Sequence, residues 1–244
     1  MVKLTLTPPD SSNRLELNHF QPVSRWNQSI LFFDNTVYGK TRPFQSSDDD
    51  LPFIETWGES IRLGYRQLIK NSTAFFGING GYDASFQQGY YFQQVGIGFE
   101  GIFPNLAIQA TLTQGLGLTY YEQLGQSLLS SFNVQAGFPT GIPSLSMATR
   151  FYYVNNQMGQ SAPGGQLQLV YGINRHLSAN ISASYDDVGG FGSSLQFRYL
   201  FNPPNPGNVP ASLSYGIASS FSSAIGNTGS RIIRLTGSVP AMGD

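Results

Sequence analysis

Two histidines, His19 and His176, are the only general-base imidazoles in this 244-residue chain, and it has no cysteine. A nucleophile needs a base that is itself oriented by a neighbour. The two histidines fall in different predicted connections or strand ends, so neither a His-based catalytic pair nor a multi-His metal site is expected. We therefore expect no enzyme and no cofactor, and without cysteine there is no disulfide framework or thiol chemistry. Asp48, Asp49 and Asp50 could gather carboxylates around Ca²⁺, but an Asp run in a long polar loop is more often simply solvated. Asp186 and Asp187 open a Gly-rich turn, where Asp is favoured for backbone reasons. Gly164-Gly165 and Gly189-Gly190 read as hairpin signals rather than phosphate cradles, because no helix follows them. That leaves Arg62, Arg66, Arg150 and Arg198 with Asp83 and Glu100. Such arginines could select anions; pairing with the two carboxylates is the role their mixed signs favour.

These charges sit in a two-residue pattern. Along Leu177-Ser-Ala-Asn-Ile-Ser-Ala-Ser-Tyr185, apolar and polar side chains alternate, which places them on opposite faces of a strand. The same alternation predicts about twelve strands, at 2–7, 14–22, 27–37, 58–69, 73–84, 91–102, 106–113, 128–138, 144–154, 165–173, 177–186 and 192–201. No apolar run approaches the roughly 20 residues of a spanning helix. Short connections, at 70–72, 103–105, 139–143 and 174–176, alternate with longer ones around Asp48, Gln87, Gln123 and Gly159. An up-and-down antiparallel meander does this, with short turns at one end and long loops at the other. An even strand count then returns both barrel ends to the short-turn side.

Composition decides which face looks where. Charged residues make up 11% of the chain, less than half the roughly 25% of soluble domains. The apolar face (Ile61, Leu63, Tyr65; Phe76, Ile78; Val95, Ile97, Phe99; Leu167, Leu169, Tyr171) carries no charge. The opposite face collects Arg62, Arg66, Asn79, Asp83, Glu100, Gln109, Asn133, Gln135, Arg150, Gln168 and Arg198. Charge is costly in hydrocarbon, so confining it to one face is what lipid on the other requires. The fold class is thus all-β: a transmembrane barrel with a polar lumen, integral to a bacterial-type outer membrane. A net charge of -1 gives no broad attraction for nucleic acid. Two alternatives stay open: a small outer-membrane channel, and a soluble barrel holding an apolar ligand with its apolar face turned inward. The start Met-Val-Lys-Leu-Thr-Leu-Thr lacks the layout of a signal peptide, which for an exported protein implies a mature or excised chain.

A series of segments carries a resemblance. Ile61-Arg-Leu-Gly-Tyr-Arg-Gln-Leu-Ile69, Phe75-Phe-Gly-Ile-Asn-Gly-Gly-Tyr-Asp83, Phe92-Gln-Gln-Val-Gly-Ile-Gly-Phe-Glu100, Pro143-Ser-Leu-Ser-Met-Ala-Thr-Arg-Phe-Tyr-Tyr153 and Ser194-Leu-Gln-Phe-Arg-Tyr-Leu-Phe201 follow in an order similar to the β-domain of inverse autotransporters, the intimin and invasin family. The resemblance spans most of residues 1–201. It implies a twelve-stranded outer-membrane anchor whose lumen holds the linker to an exported, adhesin-type C-terminal passenger. By the same resemblance, Gly192, Phe197, Tyr199 and Phe201 are the terminal signal read by the outer-membrane assembly machinery. Phe201 ends the last strand, and residues 202–244 form a linker or plug segment. The prolines of Asn202-Pro-Pro-Asn-Pro-Gly-Asn-Val-Pro210 cannot extend a sheet and would turn the chain back. The chain departs from the family in carrying no passenger and no visible peptidoglycan-binding module. Residues 211–218 and 231–235 could instead be two further strands.

Overall fold

The computed structural model describes residues 2–6, 14–26, 29–41, 54–69, 74–87, 90–103, 105–116, 120–121, 126–127, 130–155, 161–187, 190–201 and 233–234. They form β1 (Val2–Leu6), β2 (Arg14–Trp26), β3 (Ser29–Thr41), β4 (Ile54–Leu68), β5 (Phe75–Gln87), β6 (Tyr90–Phe103), β7 (Leu106–Leu116), β8 (Tyr120–Tyr121), β9 (Gln126–Ser127), β10 (Ser130–Pro139), β11 (Leu145–Asn155), β12 (Ser161–Gly172), β13 (Leu177–Asp186), β14 (Gly190–Tyr199) and β15 (Ile233–Arg234). All but β8, β9 and β15 join one closed barrel, in the order β1-β14-β13-β12-β11-β10-β7-β6-β5-β4-β3-β2. Every long strand pairs antiparallel with its neighbours in sequence, and β14 closes on β1, Val2 opposite Tyr199 and Leu6 opposite Leu195. Closure pairs the main chain without leaving an edge, which hydrocarbon demands.

The strands fall where alternation predicts them, and the differences at their ends have physical causes. β2 runs past Pro22 to Trp26, because the register shifts between Pro22 and Ser24 and a bulge accommodates the missing amide donor. β12 begins at Ser161, so Gly164 and Gly165 lie inside a strand and not in a hairpin. Gly190, at φ +65°, is the first residue of β14, where the chain leaves the turn. The long connection expected around Gln87 is absent, since β5 ends there and β6 starts at Tyr90. β14 ends at Tyr199; Phe201 lies in a bend beyond it.

Tyr199 and Val2 share the rim of the short connections. Thr41, Leu116 and Asn155, where β3, β7 and β11 end, lie at the opposite rim. There β8 and β9 pair within the β7–β10 connection, Tyr120 opposite Ser127. β15 adds to β9 as a third strand, Ile233 opposite Ser127 and Arg234 opposite Gln126. Ile233 and Arg234 therefore sit at the far rim from the end of the barrel's last strand.

The faces are inverted relative to a water-soluble protein. Leu63, Phe76, Phe99, Leu112, Phe151, Leu167, Ile181 and Tyr185 are exposed outside, while Arg62, Asn79, Glu100, Gln109, Asn133, Gln135, Asn180 and Arg198 are buried inside. Glycine makes room for the larger inward groups. A Cβ on Gly64 would overlap the Phe32 ring, and one on Gly164 would overlap the Tyr152 ring. Phe32 and Tyr152 are their direct cross-strand partners, so ring and glycine together fill one site on the lumen wall.

Candidate functional site

Among the described residues the lumen is the surface where the chain gathers chemistry, and charge is unevenly spread over its wall. Strands β2 to β6 carry most of the charge, largely in pairs. Arg62 on β4 donates from Nη2 to Asp83 Oδ1 at 3.1 Å, and Gln94 Nε2 donates to Asp83 Oδ2 at 3.0 Å, so one carboxylate ties β4, β5 and β6. Arg66 and Glu100 form a bidentate pair, Nε–Oε1 at 2.5 Å and Nη2–Oε2 at 3.1 Å. They stand on β4 and β6, with Gly77 of β5 between them in register. Glu100 lies over that glycine, its Oε1 and Cγ both inside the space a Cβ would need. Any larger residue at 77 would push the carboxylate away from its partner. The Arg66 guanidinium also sits 4.6 Å from the centre of the Phe32 ring and 5.4 Å from that of Phe75, which favours the cation further. Arg14 meets Glu16 at 2.6 Å and lies 3.9 Å above Tyr38; Asn18 donates to Asp34.

The pattern of a bridge over glycine recurs on the other side, where Tyr152 on β11 donates to Asp186 on β13 at 2.7 Å. Gly164 is the β12 residue between them in register. Sequence reading missed this use of glycine, although the signal was present: an inward-phase glycine flanked in both neighbouring strands by long polar or aromatic residues.

Between the charged strands and β11, the β7–β10 stretch of the wall is neutral. On adjacent strands β7 and β10 the inward side chains include Gln109, Thr111, Thr113, Ser131, Asn133 and Gln135, all at 5% exposure or less. Thr113 and Ser131 share a hydrogen bond at 2.8 Å, and Gln135 accepts from Arg150 at 3.2 and 3.3 Å. Gln109 Oε1, Thr111 Oγ1 and Asn133 Nδ2 are buried with no hydrogen-bond partner among the described residues.

The predicted site residues are thus dispersed rather than gathered. Arg62 with Asp83 and Arg66 with Glu100 come together; Arg150 donates to Gln135, and Arg198 is buried on β14. Gly192 faces inward beside Ser184, whereas Phe197 and Tyr199 face outward and Phe201 is exposed past the strand end. Tyr199 stacks on His176 at 5.8 Å and meets Phe201 edge-on at 5.3 Å, while His176 Nδ1 lies 2.9 Å from the Leu200 carbonyl oxygen. Asp48, Asp49 and Asp50 lie outside the described residues, as do residues 202–232 and 235–244. His19 corrects an expectation: it is no connection residue but stands in the middle of β2, exposed on the outer face and opposite Asn35 in register.

No family model matches this chain. No curated protein matches it either. Solved structures do. One, from work on the in-meso crystallization of membrane proteins, is 13% identical with a TM-score of 0.64, covering 91% of this chain and 92% of its own. The KdgM porin is 9% identical with a TM-score of 0.54, covering 82% of this chain and 98% of its own. Outer membrane phospholipase A from Escherichia coli is 10% identical with a TM-score of 0.53, over 83% of this chain and 89% of its own. The fold is that of the integral outer-membrane β-barrels. An outer belt of exposed apolar side chains around a closed polar interior places the chain across a bilayer of that kind.

Proposed function

We propose that this barrel is an outer-membrane anchor and translocator. Its last strand leads into a segment that threads the lumen, and a C-terminal passenger follows that segment to the far side. The position of β15 carries this reading. β14 ends at the short-turn rim, opposite Val2, yet Ile233 and Arg234 pair with β9 at the long-loop rim. On this reading the chain travels the height of the barrel between residues 201 and 233. Roughly 10 extended residues cross a ~30 Å hydrocarbon layer, so its length is ample. A path outside would set unpaired main chain in lipid at several kcal/mol per group, which favours the lumen. Similarity to the inverse autotransporter β-domain supports the same reading, with the assembly machinery and lipid as its other partners.

We further propose that the chain is not an enzyme. His176 holds a turn, and His19 faces lipid with Leu17 and Gln21 as its same-face neighbours on β2, so neither histidine stands beside a hydroxyl nucleophile on its own strand. A small channel is the second reading, favoured by likeness to the KdgM and NanC porins, at TM-scores of 0.54 and 0.56. Planar-bilayer recordings separate the two. Deleting residues 202–244 raises single-channel conductance if the segment occupies the lumen; unchanged conductance sinks the translocator reading and leaves the channel.

A further inference from the structure

Resting on the threaded-lumen reading, we infer that Gln109, Thr111 and Asn133 form a charge-free strip that holds the main chain of the threaded segment, on the β7–β10 wall and not on the charged one. Three observations meet here. Gln109 Oε1, Thr111 Oγ1 and Asn133 Nδ2 are buried yet without a partner among the described residues, and they are neighbours: Thr111 is directly opposite Asn133, and Gln109 opposite Gln135. Buried polar atoms are rarely left unpaired, and this trio offers both acceptors and a donor, the complement of a peptide group. Elsewhere among the described lumen residues such neutral atoms stand singly, Ser60 Oγ on β4 and Asn180 Oδ1 on β13, while on the charged wall Arg62 and Gln94 already spend another atom on Asp83.

The second observation is spacing. Gln109 and Thr111 are two residues apart on one face of a strand, about 6.8 Å. That is also the repeat at which an extended chain presents successive peptide groups to one side. The strip is therefore in step with an extended main chain lying alongside it.

The third is the segment itself. From Asn202 to Ser230 there is no Asp, Glu, Lys or Arg, and about half of the residues are Gly, Ala or Ser. A charge-free chain gains nothing from the ion pairs of β2 to β6, and its small side chains let a wall approach the backbone. Neutral strip and neutral segment fit each other, and main-chain hydrogen bonds read no particular side chain. The strip would accept any extended uncharged stretch and disfavour one carrying buried charge.

The chain lacks cysteine, so disulfide scanning in the intact barrel is clean. Single cysteines along 211–230 are combined with Thr111→Cys on the strip or with Asn18→Cys on β2, across the lumen. Alternate positions should cross-link to residue 111 and few to residue 18. Cross-links to 18 in preference, or to 111 without alternation, overturn the strip while leaving the segment in the lumen; no cross-link to either wall overturns the strip and the threaded reading together. As a second measurement, Thr111→Val with Asn133→Leu should raise the conductive fraction about tenfold, the worth of two net hydrogen bonds. No rise, in a barrel that does open on deleting 202–244, refutes the strip alone.

Discussion

Substituting Gly77 by alanine should destabilise the barrel when Glu100 is present and stabilise it slightly when Glu100 is gone. The added Cβ would fall on Glu100 Oε1 and 2.7 Å from its Cγ. Because Cγ is near the root of the side chain, a twist of the carboxylate cannot relieve the contact, so Glu100 must change rotamer and lose its bidentate hold on Arg66. Breaking a buried ion pair costs about 3–5 kcal/mol. The Glu100 side chain is 3% exposed, but that of Arg66 is 22% exposed and keeps its aromatic neighbours, so about 2–3 kcal/mol is the appropriate loss. Against this, Gly→Ala at a residue with negative φ gains about 0.4–1 kcal/mol from the unfolded chain; Gly77 is not among the positive-φ glycines. The net is a loss of about 1–2 kcal/mol with Glu100 and a gain of about 0.5 kcal/mol in the Glu100→Ala background. Urea unfolding of the four proteins of this double-mutant cycle in one lipid, followed by tryptophan fluorescence, measures both. Equal effects of Gly77→Ala in the two backgrounds would refute the claim that the glycine exists to let the pair bridge a strand.

Two further predictions concern the outer face. Ile97 stands near the middle of β6 and is exposed, so Ile97→Arg should cost about 2–4 kcal/mol in liposomes; a neutral result would mean that this face does not meet lipid. Asn35, at the centre of β3, has Oδ1 buried without a partner among the described residues, and Asn35→Leu should stabilise the barrel by about 1–3 kcal/mol. A loss of stability or of an oligomer in the same unfolding and cross-linking assays would show instead that Asn35 and the facing His19 have a partner in the membrane.

The barrel was legible because its physics is periodic. Alternation such as that of β13 survives in any single strand, and the scarcity of charge assigns the apolar face to lipid without knowledge of any contact. Strand ends were less legible where one residue type has two meanings. Pro22 reads as a stop, yet a bulge carries β2 four residues past it; Gly164 and Gly165 read as a turn, yet they lie within β12, where Gly164 makes room for the Tyr152 ring. Glycine that relieves a turn and glycine that admits a neighbouring side chain are identical in a sequence until register is known. The same limit hid the His19–Asn35 row, since only the pairing of β2 with β3 brings them level.

Register also bears on the two readings of the lumen. Arginines that line a pore attract anions only to the extent that their charge is uncompensated. Arg62 and Arg66 are each held by a carboxylate within hydrogen-bond distance, and Arg14 meets Glu16, so these cations present little net field to a passing solute. The Arg62–Asp83 and Arg66–Glu100 pairs instead tie β4, β5 and β6 together, the second across Gly77, stiffening the wall that carries the charge. Unpartnered polar atoms stand singly on several strands of the described barrel, but on β7 and β10 they cluster, and there they are neutral. A wall divided in this way suits a long, uncharged, extended chain better than it suits an ion. It follows that replacing the charged pairs should change how firmly the barrel stands, whereas replacing the neutral strip should change what the barrel holds.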